Sequence, residues 1–424
     1  MRILIAGAGI GGLAAALSLH AAGLTDVRIV ESARSPRPAG LGLNILPDAV
    51  RELTALGLYD RLAEQAVPTG ELRLFSRHGR PIWTEPRGVG AGYHWPQLSV
   101  SRRWLQEVLA EAVRERLGTA AVTTGTRVVG CVPGKGTPAV VTLHEEETRA
   151  RRTVHADVVI GADGIHSAVR AALYPGEGPP PGDGMVMWRG VTWVPPFLSG
   201  RTMAVAGDEQ RRIVLYPVAE DARRGLVLVN WVAAHQVGAD RVGTADWLER
   251  APLAAVLAEF GDWAFDWIDL PAVFRGAPLI HRYPMVDRDP LPRWSVGNVT
   301  LLGDAAHAMY PMGSNGATQS IVDGRVLAHA LAGGDDAVLA LADYERRRLP
   351  AMTRLQESNR GWGPEAIITT VHQRAPDGYA HLHDVVSPGE LAEVAARYAA
   401  TSGAQVHQVN HRPSLGVGDR TVGP

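Results

Sequence analysis

The sequence predicts an α/β protein with a parallel sheet flanked by helices and a second, β-rich domain inserted into it. Three observations carry that expectation. The buried-strand pattern Ile3-Leu4-Ile5-Ala6 runs directly into Gly7-Ala8-Gly9-Ile10-Gly11-Gly12 and a helical stretch. Two later apolar runs, Val158-Val159-Ile160 and Val299-Thr300-Leu301-Leu302, each end in turns built from Gly and Asp. Four short β-like runs, Met185 to Trp193, Thr202 to Ala206, Arg212 to Val218 and Leu226 to Trp231, read as one covering sheet.

In chain order, Gly7 permits a tight turn, Gly9 lets the backbone approach a pyrophosphate, and Gly12 lets the helix pack closely on the sheet. The free N–H groups at the helix start then face the phosphates, so Gly7, Ala8, Gly9, Ile10, Gly11 and Gly12 are the expected cofactor contacts. Leu13, Leu17 and Leu19 supply the apolar helix face, Gly23 the C-cap, and Val27 to Val30 the second strand, which delivers Glu31 to its tip. A carboxylate there accepts hydrogen bonds from ribose hydroxyls and repels a 2′-phosphate, which marks an adenine dinucleotide site. Asp163-Gly164 places a second carboxylate at a strand's C-terminal end, where open sheets keep ligands; the alternative is an ordinary turn with Arg170 solvated. Asp304, after Gly303, is positioned to hold a polyhydroxyl chain. Beyond it, the amides of Gly313, Gly316 and Ala317 open a helix running to Leu331 and point at a ring edge that gains negative charge. His307, inside a small-residue run, reads as a structural hydrogen-bonder.

At 424 residues the chain exceeds one ordinary core, so two interlocked domains are expected. A net charge of −2 gives no footprint for nucleic acid or an anionic membrane. Lys135 is the sole lysine, and the single cysteine, Cys131, excludes an internal disulfide or a multi-cysteine metal site; no metal is expected, and a reducing, cytoplasmic compartment fits. The apolar opening is too short for a signal h-region, and no later run has the about 18 apolar residues of a membrane span, so no stable membrane insertion is expected.

The glycine fingerprint at Gly7, the Asp163-Gly164 turn and the Gly303-Asp304 turn together resemble the class A flavoprotein monooxygenases, aromatic hydroxylases of the para-hydroxybenzoate hydroxylase fold. The resemblance spans nearly the whole chain and implies a Rossmann-like FAD-binding domain with an inserted β-sheet substrate domain. It assigns FAD contacts to Gly42, Arg102 and Gln106, adenine contact to the backbone of Val128, and a place over the flavin to the backbone of Pro311. The runs Glu85 to Val89, Met187 to Val191, Tyr283 to Pro292 and Met309 to Gly313 resemble the phenazine hydroxylase branch, and salicylate hydroxylases share the wider plan. One departure is Asn315, where the family loop carries Gln.

The resemblance implies one non-covalent FAD, NAD(P)H as a transient co-substrate, and O2. The product is a phenazine- or salicylate-like aromatic ring hydroxylated through a flavin C4a-hydroperoxide, with or without loss of a carboxyl group. Gly88-Val89-Gly90-Ala91-Gly92 follows no strand and opens no helix, so it reads as a loop and not a second dinucleotide site. The expected FAD-binding domain comprises 1–70, 98–180 and 281–355, the substrate domain 71–97 and 181–280, and 356–424 a C-terminal helical segment and tail, in a monomer or homodimer. Arg127 to Thr153 reads as a strand pair around a Pro/Gly loop.

Substrate-side candidates are Arg189, Tyr216, Trp231, Tyr283 and Met285. Tyr216 could orient a ring hydroxyl or be a core tyrosine; Arg189 could pair with a substrate carboxylate or hold the two domains together. Rival readings are a flavin halogenase, which would need a catalytic lysine and a Trp-x-Trp-x-Ile-Pro segment that is absent, an FAD oxidase or dehydrogenase without oxygen transfer, and a non-enzymatic flavin redox module.

Overall fold

The computed structural model describes residues 1–35, 41–238, 249–402, 405–413 and 415; residues 239–248 of the expected substrate domain and the tail from 416 lie outside them. Strands Val299–Leu301, Val158–Gly161, Ile3–Ala6, Val27–Glu31 and Val122–Thr124 form, in that order, a five-stranded parallel sheet. Its central strands are near-continuous apolar runs because helices cover them. Helix Ile10–Ala21 packs between helices Asn315–Leu331 and Arg102–Leu117. The approach to Asn315–Leu331 is close because a Cβ on Gly324 would stand 2.9 Å from the Cα of Ala15, so only glycine fits. An antiparallel three-stranded sheet, Thr126–Val132, Ala139–Glu145 and Arg151–Ala156, supplies the expected strand pair and one strand more.

The second sheet has seven strands in the order His281–Val286, Gly182–Val194, Leu226–Gln236, Arg211–Asp221, Thr202–Gly207, Glu71–Ser76 and Pro81–Pro86. The domain boundary expected at 281 therefore falls inside this sheet, because His281–Val286 pairs antiparallel with Gly182–Val194 as its edge strand. The boundary expected at 355 likewise falls inside one continuous helix, Ala337–Arg360. A third small sheet, Gly42–Ile45, Gln97–Ser101 and Ala66–Thr69, lies at the junction of the two larger ones.

Side chains alternate across the seven-stranded sheet. Val229, Trp231, Ala233, Ile213 and Leu215 point to one face, where helices Leu253–Phe260 and Leu270–Arg275 seal a core. Met187, Arg189, Tyr216 and Tyr283 point to the other. This corrects the placement of Trp231 on the substrate side. Its indole is fully buried, 4.9 Å from the Phe274 ring, and its Nε1 donates to Thr192 Oγ1 at 3.1 Å. Gly190, directly opposite, makes the space, since a Cβ there would lie 2.4 Å from the indole.

Trp231→Ala is therefore expected to cost about 3–5 kcal/mol of stability through the cavity it leaves. Urea denaturation checks this, and FAD bound per folded chain should stay at the wild-type level.

Candidate functional site

The fingerprint turn is built as its glycines require. Gly7 has φ +101°, and a Cβ on it would meet the Ala162 carbonyl at 2.5 Å; a Cβ on Gly12 would sit 2.0 Å from the Gly7 oxygen. Gly9 is different, for a Cβ there would meet nothing within 4 Å. The helix that follows has no side-chain cap and no acidic residue in its first turn, so its first N–H groups remain available to an anion. Gly11 instead packs under helix Asn315–Leu331, its Cβ position 2.8 Å from Leu302 and 3.2 Å from Ser320.

Glu31 sits at the tip of its strand and accepts hydrogen bonds from the backbone N–H of Ala8 at 2.8 Å and of Ala33 at 2.7 Å. Ser32 Oγ donates as well at 3.1 Å, so of the carboxylate's about four acceptor positions one remains for a ribose hydroxyl. Gln106 donates to the Ala8 carbonyl at 2.9 Å, bracing the same turn, while Arg102, the first residue of its helix, is exposed. The Val128 side chain is buried and its strand pairs with Leu143.

The two aspartates differ. Burial pushes the Asp163 carboxyl up, while hydrogen bonds from Ser167 and from the backbone of Ala168 and Val169 pull against it; the carboxylate is engaged in starting the next helix. Arg170 is not solvated but 1 % exposed, and it donates to the carbonyls of Ala305 and Ala306 at 3.1 and 3.0 Å, tying this turn to the Gly303-Asp304 turn. Asp304 is exposed, and no hydrogen bond engages its carboxylate among the described residues. Gly316 faces it, with the position of a Cβ 4.0 Å from the Asp304 Oδ1. His307 is the structural residue expected, its Nε2 2.6 Å from Asp323 Oδ2; burial opposes ionisation of Asp323, yet His307 and Arg348 together hold it at about 2.

The loop opposite Asp304 turns through two left-handed residues, Gly313 (φ 64°) and Ser314 (φ 63°), into the uncapped N-terminus of helix Asn315–Leu331. Asn315 folds its amide back onto the Gly313 carbonyl at 3.1 Å and accepts from Gln319 at 3.2 Å, so the shorter side chain braces the loop from within. Pro311 is exposed at its start, and Ala317 lies in the first helical turn.

Met312 of this loop and Tyr310 just before it pack with Met185, Met187, Ala234, Tyr283 and Met285 in one apolar cluster, edged by Val232 and Trp362. It joins this second face of the seven-stranded sheet to the loop after Asp304; the far half of the same face, with Leu72, Leu74 and Val205, is covered by helix Ala366–Arg374. Arg189 borders it, its guanidinium 5.9 Å from the Tyr283 ring centroid and donating to the Gly42 carbonyl at 2.9 Å. Gly42 also donates its N–H to Asn230 Oδ1 at 2.7 Å. Tyr216 is buried between Arg189 and Asn230; burial raises its phenol pKa, and Arg189 works against that rise. The structure thus brings Arg189, Tyr216, Gly42, Tyr283 and Met285 together, and separates Trp231 from them. Arg212 and Glu365, absent from the sequence reading, also reach this face; the one available signal for Arg212 was its even spacing from Tyr216 along an alternating strand.

The geometry suits FAD: an unfilled position at Gly9, free helix-start N–H groups, a carboxylate at Glu31 and an unengaged carboxylate at Asp304 lie along the C-terminal edge of one parallel sheet. The FAD-binding domain family matches residues 1–269 and 280–359, and the chain belongs to that family as one of its FAD-dependent aromatic monooxygenases. Among its relatives is the phenazine 1,6-dicarboxylic acid hydroxylase of Lysobacter antibioticus, 46 % identical over 84 % of this chain and 89 % of that protein. The 3-amino-4-hydroxybenzoate 2-monooxygenase of Streptomyces platensis is 32 % identical over 86 % of this chain and 88 % of that one. The fold is shared with Klebsiella pneumoniae HpxO complexed with FAD and uric acid, at a TM-score of 0.70 and 23 % identity over 96 % of this chain and 94 % of that one.

Two glycine substitutions separate cofactor binding from folding. Gly9→Ala should leave the thermal midpoint unchanged and weaken FAD roughly tenfold, about 1.4 kcal/mol, by obstructing the pyrophosphate. Gly12→Ala should cost about 1–3 kcal/mol of stability through overpacking against Gly7. Flavin fluorescence titration and thermal melts of both variants read the two effects independently.

Proposed function

We propose that this protein uses NAD(P)H and O2 to hydroxylate a planar, electron-rich aromatic carboxylic acid with a phenazine-like skeleton. The observation that supports this most is the apolar, methionine-rich cluster set between the loop after Asp304 and a sheet face on which Arg189 lies beside the buried Tyr216. The likeness to a phenazine diacid hydroxylase supports the ring class. The domain division enters this reading with its boundary moved past Val286, so that the sheet carrying Tyr283 and Met285 is wholly on the substrate side. The same reading places the protein in the cytoplasm, where reduced nicotinamide is supplied, as a monomer or homodimer.

Bound FAD supplies reduction by the nicotinamide and activation of O2; the protein supplies placement and dryness. Glu31 and the first-turn N–H groups beyond Gly9 would hold the adenosine and diphosphate end, and Asp304 would accept from the polyhydroxyl chain. The first turn of helix Asn315–Leu331 places partial positive charge at the ring edge that gains electrons. Met185, Met187, Met285 and Met312 exclude water while conforming to a flat ring. Tyr216, held protonated by burial, offers a hydroxyl to orient the ring, and Arg189 keeps the substrate sheet against Gly42 through one guanidinium nitrogen while its buried, unpartnered Nε is left for a substrate carboxylate.

Two measurements test this. Reaction with phenazine-1-carboxylate under ¹⁸O2 should place one labelled oxygen atom in the product; unlabelled or dehydrogenated product would favour an oxidase. Tyr216→Phe should lower product per NAD(P)H oxidised and raise hydrogen peroxide correspondingly, with hydroxylation slowed roughly 10–100-fold by loss of one orienting group. Coupling at the wild-type level would remove Tyr216 from the site.

A further inference from the structure

Arg212 is a buried cation that the reaction above leaves unused. It lies on strand Arg211–Asp221 directly opposite Ala234, which lies opposite Met187, which lies opposite Tyr283, so its side chain shares a row with the methionine cluster. Its residue is 1 % exposed. One guanidinium nitrogen donates to Thr369 Oγ1 at 2.6 Å and another to the Arg211 carbonyl at 3.1 Å, while Nε is buried with no partner. The guanidinium stands 4.8 Å from the ring centroid of Trp362, which itself edges the cluster. Gly207 makes room for it, since a Cβ there would lie 2.6 Å from Arg212 Cδ.

A buried guanidinium without an ion pair is costly, and structures ordinarily pair it. Arg170, Arg325 and Arg348 in this chain each meet a carboxylate. Arg212 meets none within ion-pair distance among the described residues. Glu365, also buried, feels its charge without touching it, and burial lifts that carboxyl to about 7.

Resting on the proposed aromatic-acid reading, we propose that Arg212 is a specificity-determining residue that takes a second substrate carboxylate at the end of the methionine cluster beside Trp362. Arg189 and Arg212 occupy the same sheet face, two strands and one side-chain row apart, about 12 Å between Cα atoms at ordinary strand spacing. Two cations at opposite ends of an apolar face suit a fused-ring diacid better than a single-ring monoacid. Glu365 in its protonated form donates to the arriving carboxylate; ionised, it competes for Arg212.

The test uses FAD-loaded full-length enzyme without NAD(P)H, titrated with phenazine-1,6-dicarboxylate, phenazine-1-carboxylate and unsubstituted phenazine, each followed by perturbation of flavin absorbance. Wild type should prefer the diacid to the monoacid. Arg212→Met should weaken the diacid about tenfold or more while changing monoacid and phenazine by less than about threefold. Arg212→Lys, which keeps the charge but not the fork, should retain part of the preference, and Glu365→Gln should increase it. If Arg212→Met fails to hold FAD, these last two variants decide the matter. Equal weakening of all three ligands, or a diacid-to-monoacid ratio that none of the variants moves, overturns the assignment of Arg212. If wild-type enzyme holds FAD but binds none of the three ligands, the aromatic-acid reading falls as well; if it hydroxylates the monoacid with that ratio unmoved, only the Arg212 inference falls.

Discussion

Gly42 is the point on which the two halves of the molecule depend. Its N–H donates to Asn230 Oδ1 and its carbonyl accepts from Arg189, so both polar groups of one residue on the FAD side are engaged by the substrate sheet. A Cβ at this position would stand 2.5 Å from Val218 and 2.7 Å from Asn230, which forces glycine. Two sheets that each fold around their own core can drift relative to one another; a backbone joined by two short hydrogen bonds, one charge-assisted, cannot. The seating of the Asp304 loop against the methionines of the sheet follows from this junction. A ring placed on that face is thereby placed relative to the flavin.

A second set of buried polar contacts performs the same service within the FAD domain. Arg170 reaches from the Asp163 turn to the carbonyls of Ala305 and Ala306, and Asp323 accepts from the Gly303 N–H and from His307 while meeting Arg348. Each carboxylate and guanidinium in this network has a partner. That is the condition under which buried charge is tolerated, since removing one member leaves the other uncompensated at a cost of about 3–5 kcal/mol. With Gly303 held by Asp323, the next carboxylate, Asp304, is left projecting from the strand end with no partner of its own. The network explains why one aspartate of the pair is exposed and the other spent.

Much of this was legible in the sequence because it is local. The turn at Gly7 needs a left-handed residue, the helix beyond Gly12 needs a missing Cβ, and the apolar runs before Gly161 and Gly303 need helices on both sides; each demand is met within a few residues of its signal. Trp231 was misplaced for the opposite reason. Alternation along Leu226–Gln236 shows that Asn230 and Trp231 face opposite ways, but not which face is sealed by helices lying beyond residue 250. The same limit hid Arg212, whose environment is completed by Trp362, Glu365 and Thr369, some 150 residues further along the chain. The chain-order domain limits at 281 and 355 fall at an edge strand and inside a long helix, whose pairing and extent hydropathy alone does not show.

The face proposed for the substrate combines a methionine-rich surface with a few buried polar groups. Methionine side chains are unbranched and polarisable, and they accommodate a flat ring without demanding one orientation. Such a surface binds but does not align. In the proposed reading alignment comes from the polar groups at its margins, Tyr216 beside Arg189 at one end and Arg212 beside Trp362 at the other. Because the intervening area is apolar and closed to water, each marginal hydrogen bond acts in a low dielectric and carries more discrimination than it would at the surface. The sheet's pleat fixes the spacing of those margins, so in the proposed reading the length of substrate that satisfies both ends is set by strand geometry, while the chemistry at the flavin is shared across the family.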